Sequence, residues 1–142
     1  MNNNILLLLT LIIPLVGTIL ILLTRKYQNI REAVTILTAS ILFIINIFLT
    51  INTIINTEKT SLVIVSFFPG GSIQLNPEPL GLIFGLIASG LWIVTSIYSI
   101  GYMRGKNEQN QTRFYCFFAL AIAATMGVAY AGNLITLFIF YE

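Results

Sequence analysis

The chain closes on GNLITLFIFYE, ten uncharged residues and then a carboxylate. If Leu134 opens a membrane helix, Glu142 is its ninth residue. It would then lie about 13 Å down the axis, near the middle of a hydrocarbon core about 30 Å thick. A lone charge at that depth costs at least ~2.5 kcal/mol, so an ionisable residue there is expected to serve an ion path and to have a partner. Desolvation favours the neutral acid and a nearby cation favours the anion; a carboxyl group balanced between them can take up and release protons near neutral pH. Glu142 is therefore the candidate catalytic residue, as a mid-membrane proton relay.

The rest of the chemical inventory is thin. There is no histidine, which argues against a haem, a histidine-ligated metal or a histidine relay in this chain. Cys116 is the only cysteine, so neither an internal disulfide nor a thiolate cluster can form. No cofactor and no metal site are expected. Asn46, polar within an apolar run, reads as a hydrogen bond to a neighbouring helix rather than a place on an ion path.

The elements that would hold Glu142 follow from composition. Hydrophobic residues make up 57% and charged residues 8% of the chain, too few charges to cover a surface facing water. An all-α integral membrane fold is expected: four transmembrane helices at about 5–24, 33–55, 80–103 and 114–131, plus a truncated fifth at 134–142. Pro14 falls within the first, where a packed bundle tolerates it. A signal peptide is disfavoured, because MNNN carries no basic residue. Between the second and third runs, SLVIVSFF, PGG and SIQL read as strand, turn and strand, a small extracytoplasmic β-hairpin within 57–77. Pro77 and Pro79 then prepare a helix start.

Six of the seven Lys and Arg fall between runs one and two or between runs three and four, with only Lys59 on the other side. By the positive-inside rule the N-terminus and the hairpin lie outside. The basic residues are read as belonging to loops, on no exposed face that would suit nucleic acid. Tyr98 and Tyr102 suit the cytoplasmic interface and Tyr130 the outer one, whereas Trp92, in mid-run, suits buried packing. Small residues mark helix contacts: Gly81 and Gly85 form a GxxxG, and Ala119, Ala123, Gly127 and Ala131 recur every fourth residue.

The stretches NPEPLGLIFGLIASGLWIVTSIYSIGYMRG and TRFYCFFALAIAATMGVAYAGNLITLFIFYE, from Pro77 to Glu142, resemble the antiporter-like membrane subunit family. That family comprises the large subunits of Mrp-type cation/proton antiporters and the proton-pumping membrane subunits of respiratory complex I and group 4 hydrogenases. The resemblance is sharpest at YSIGYM and GNLITLFIFYE; the first 75 residues match only in pattern. It implies that Glu142 matches a glutamate that pairs with a lysine on a later, broken helix. It also implies a bacterial plasma membrane rather than a mitochondrial one, other membrane subunits as partners, and protons and Na+ as the transported ions. The wording YSIGYMRG leans to an Mrp-like D subunit. No lysine-bearing broken helix is present in these 142 residues, so the chain is expected to be the N-terminal portion of a larger subunit, incapable of transport alone. The alternatives are a proton-pumping subunit of NADH:quinone oxidoreductase or of a group 4 hydrogenase, and a non-transporting membrane scaffold.

Overall fold

The structure, a computed structural model, describes residues 3–56, 61–68, 71–106 and 108–142. Lys59 and the Pro69-Gly70 part of the expected turn lie outside them. The elements run α1 (Asn3–Leu23), α2 (Gln28–Asn56), β1 (Leu62–Phe68), β2 (Gly71–Leu75), α3 (Pro79–Lys106), α4 (Gln111–Ala129) and α5 (Leu134–Tyr141). The first four helices are long and apolar enough to cross a membrane. α5 has eight residues, about 12 Å of helix, and is too short to cross.

α1 to α4 run up and down as a four-helix bundle. α1 packs on α2 and α4, and α3 packs on the same two from the other side. α2 and α4 therefore face each other across the diagonal. Each helix buries one stripe. On α1 it is Leu6, Leu7, Thr10, Leu11, Pro14, Gly17, Thr18 and Ile21, spaced by three and four residues. Pro14 is accommodated within a continuous helix, and Thr18 donates to its carbonyl at 2.9 Å. α3 is built the opposite way from a soluble helix. Its buried stripe is Gly81, Leu82, Gly85, Ser89, Trp92, Ser96 and Ser99, while Leu80, Ile83, Ile87, Leu91 and Val94 point outward. Without a hydrophobic drive between helices in lipid, close backbone approach and hydrogen bonding must hold them together, and small residues permit both.

β1 and β2 form a two-stranded antiparallel sheet with Leu62 opposite Leu75 and Ser66 opposite Ser72, interrupted by irregularities between Val63 and Val65 and between Ser66 and Phe68. The hairpin lies between the second and third helices, as the strand and turn composition suggests.

Several sequence expectations change. The helices outrun their apolar cores: α2 begins at Gln28 and α3 continues to Lys106. Arg31, Arg104, Lys106 and Arg113 are therefore helical, not loop residues. Backbone hydrogen bonding continues past the apolar segment because long basic side chains can leave their stems on the helix and carry the charge outward. The six described basic residues still share one end of the bundle, opposite the hairpin. Tyr130, read as an aromatic of the outer interface, is fully buried at the hairpin end of the bundle. Ala131 is not on α4, which stops at Ala129; it forms a β-bridge with Leu75.

Candidate functional site: the fifth helix and its supports

α5 is aimed by its first turn. Asn133, in an extended conformation, caps the helix by accepting from the Thr136 N–H at 2.7 Å. The same amide donates to the Ser72 carbonyl on β2 at 2.7 Å. Thr136, the buried residue of α5, accepts from the Gln74 N–H at 2.8 Å and donates to Asn133 Oδ1 at 2.7 Å. The backbone adds two more ties, Gly132 N–H to Gln74 O at 2.8 Å and Asn76 N–H to Tyr130 O at 2.7 Å. The Asn133 and Thr136 side chains and the Gly132 N–H are thus all bonded to β2, which sets where the helix starts and how it leaves.

The far end of α5 is set by α4. A Cβ on Gly127 would lie 2.2 Å from Cδ1 of Phe140, so the ring rests directly on the glycine backbone. Glu142 follows two residues later. Its N–H donates to Phe138 O at 3.1 Å, closing the last turn, and its side chain is exposed. Among the described residues no basic side chain forms an ion pair with Glu142, and no three of His, Cys, Asp and Glu gather where they could hold a metal.

The small residues singled out in the sequence have distinct neighbours. A Cβ on Gly81 would meet the Ala129 carbonyl oxygen at 2.1 Å, and one on Gly85 the Tyr130 hydroxyl at 2.2 Å. Both glycines of the GxxxG therefore bring α3 against the end of α4. Ala119, Ala123 and Gly127 are buried on α4.

Two polar clusters cross the α2–α4 diagonal. Near the hairpin end, Tyr130 donates to Asn46 Oδ1, while Asn46 Nδ2 donates to the Leu42 carbonyl at 3.1 Å and contacts Met126 Sδ at 3.8 Å. Asn46 makes the interhelical bond expected of it. At the basic end, Arg31 donates to Gln111 Oε1 at 2.6 Å and to Thr112 Oγ1 at 2.9 Å. Its guanidinium stands 5.5 Å over the Tyr115 ring. Beside it Glu32, 4% exposed, accepts from Arg104 Nε at 3.0 Å, and Arg104 Nη2 also donates to Asn29 Oδ1 at 2.7 Å. The buried Lys, Arg, Asp and Glu residues among the described ones are thus Arg31 and Glu32. Residue spacing gave no hint of these bonds, since the partners are 72 to 84 positions apart. The one local signal is the polar run QNIRE opening a helix.

No family model matches the chain. It is 34% identical over 134 residues to the Na(+)/H(+) antiporter subunit A1 of Staphylococcus aureus, an alignment covering 92% of this chain and 16% of that protein. The same subunit from strains JH9 and Newman matches at the same identity and coverage. The chain thus spans about a sixth of the length of these curated relatives. The similarity is to subunits of Na(+)/H(+) antiporters, and four helices of this chain are long and apolar enough to cross a membrane.

Proposed function

Proceeding from that kinship, we propose that the chain is the N-terminal portion of a large membrane subunit of a multisubunit cation/proton antiporter, with Glu142 as its proton relay. The observation that carries the antiporter reading is similarity across nearly the whole chain to Na(+)/H(+) antiporter subunits. For the relay, the support is physical. Glu142 ends an apolar helix whose start is held by the hairpin and whose far end rests on Gly127. A carboxyl group carried into a membrane by such a helix is a default proton or ion site. The partner is a cation from outside these residues. The relatives named are A-type; the D-type reading rests on the wording YSIGYMRG and on the lack of cofactor ligands in the sequence. In this proposal the membrane is the bacterial plasma membrane, the basic end faces the cytoplasm and the transported ions are protons and Na+.

The test is Glu142→Gln in the complete subunit. The amide keeps the size and is cheaper to bury than the carboxylate. Assembly, followed by blot, should be unchanged, and ΔpH-driven Na+ flux in vesicles should be lost. Normal flux in this variant would remove the relay from the proposal.

A further inference from the structure

The described basic residues gather at one end of the bundle, where the only carboxylates among the described residues are Glu32 and Glu108. These cations are not equally available. Arg104 is spent on Glu32, Arg31 is buried against Gln111 and Thr112, and Lys106 lies 5.1 Å over the Tyr102 ring. Arg25 and Lys26, in the turn from α1 to α2, are exposed, and among the described residues no carboxylate pairs with either. Lys26 lines a cleft of about 460 Å³ together with Tyr27, Gln28, Asn29 and Ile30.

We propose that this cleft is a binding site for the phosphate group of an anionic phospholipid. Lys26 supplies the cation, and no carboxylate lines the cleft. Asn29 supplies a donor. Its Oδ1 is taken by Arg104 Nη2 at 2.7 Å, so what the amide has left to offer is its NH2 group, which suits a phosphate oxygen. The same guanidinium holds Glu32, so one residue of α3 both fixes Asn29 as a donor and neutralises the nearest acid of α2. The neighbouring cleft, of about 360 Å³, lacks these properties. It is lined by Gln28, Asn29, Arg104, Glu108 and Gln111; its one cation is already paired, and Glu108 would repel an anion.

Depth and the apolar rim select a lipid over free phosphate. The turn stands where the apolar run of α1 has ended and that of α2 has not begun. Leu22 and Leu23 just before it, and Ile30 just after, are each half or more exposed. A lipid whose phosphate meets Lys26 would lay its chains over these side chains. Basic pockets beside spanning helices take anionic head groups in this way. The site requires that α1 and α2 span a membrane; it does not depend on the relay assigned to Glu142.

The experiment is native mass spectrometry of the full chain released from detergent, with phosphatidylglycerol, phosphatidylcholine or glycerol phosphate added. The expected result is one phosphatidylglycerol bound in preference to phosphatidylcholine and not displaced by glycerol phosphate. Lys26→Gln should weaken it about fivefold, the share of one cation at an anionic head group. Asn29→Asp, which keeps an oxygen for Arg104 but replaces the donor with a charge, should weaken it further. Lys106→Gln removes a cation from the same end but outside the cleft and should leave binding unchanged. Equal binding of the two lipids would overturn the proposal. Equal weakening by Lys26→Gln and Lys106→Gln would overturn it too, since the attraction would then be spread over the whole basic end. Displacement by glycerol phosphate would make the ligand a free phosphate and overturn the lipid assignment.

Discussion

Gly127→Ala isolates the contact that sets the far end of α5. The added methyl carbon would lie 2.2, 2.3 and 2.7 Å from three ring atoms of Phe140. Ordinary contact begins at 3.4 Å, so the ring must withdraw by about 1.2 Å or more. Overpacking of that kind costs about 1–3 kcal/mol. Against it stands the intrinsic preference of a helix for alanine over glycine, about 1 kcal/mol. Shortening the ring as well, in Gly127→Ala/Phe140→Ala, removes the clash and leaves only the preference. The same glycine substitution should therefore change sign: destabilising with Phe140 present, stabilising by about 1 kcal/mol in the Phe140→Ala background. The coupling between the two sites equals the overpacking cost, about 1–3 kcal/mol, within the range for residues in contact. Reversible unfolding by SDS in mixed micelles, run on the four members of the cycle, measures it. If Gly127→Ala stabilises both backgrounds equally, Phe140 does not rest on Gly127 and the account of how α5 is held collapses.

Tyr130→Phe should cost about 1 kcal/mol by leaving Asn46 Oδ1 without its donor. Because the same hydroxyl crowds Gly85, Gly85→Ala should be markedly better tolerated in Tyr130→Phe than alone, read as a difference in melting temperature in detergent. Arg104→Ala should lower that temperature more than Glu32→Ala, since the first strands a carboxylate whose side chain is 5% exposed while the second leaves a guanidinium 48% exposed and free to hydrate; equal effects would argue against a buried acid at that end. Single cysteines at Ser61 and Gln109 should react with a membrane-impermeant maleimide from opposite faces of a vesicle, and reaction from one face would contradict the up-and-down path of α3.

The four spanning helices and the hairpin are legible in the sequence because each rests on a local property: a long apolar run, or β-branched residues around a turn. What lies across space is not local. Tyr130 reads as an interfacial aromatic because it follows an apolar run, yet its hydroxyl finds Asn46 on another helix, 84 positions away. Arg31 and Glu32 look like loop charges until α2 is seen to begin at Gln28 and to bring them against Gln111 and Arg104. Ala131 continues a four-residue spacing by arithmetic alone; the helix has already ended, and the residue is taken by β2. Glu142 is the reverse case. Its helix and cap can be read from Gly132-Asn133 and the apolar run, but the support under that helix comes from Ser72, Gln74 and Gly127.

The buried stripe of α3 carries a mechanical implication. Between Gly85 and Ser99 its inner residues are glycine and serine apart from Trp92, so this face resembles a smooth bolt with one tooth. A smooth face offers nearly the same fit at several axial positions; the tooth selects one. The tooth does not hold the register alone. The places of Gly81 and Gly85 admit no side chain, because a Cβ there would meet the Ala129 carbonyl oxygen and the Tyr130 hydroxyl, so a slip of the helix that brings Leu82, Ser89 or Trp92 to either place is blocked. Removing the indole should therefore leave a hole but keep the register, and cysteine pairs placed across α2 and α3 should cross-link at the same single offset in Trp92→Ala as in the unaltered protein.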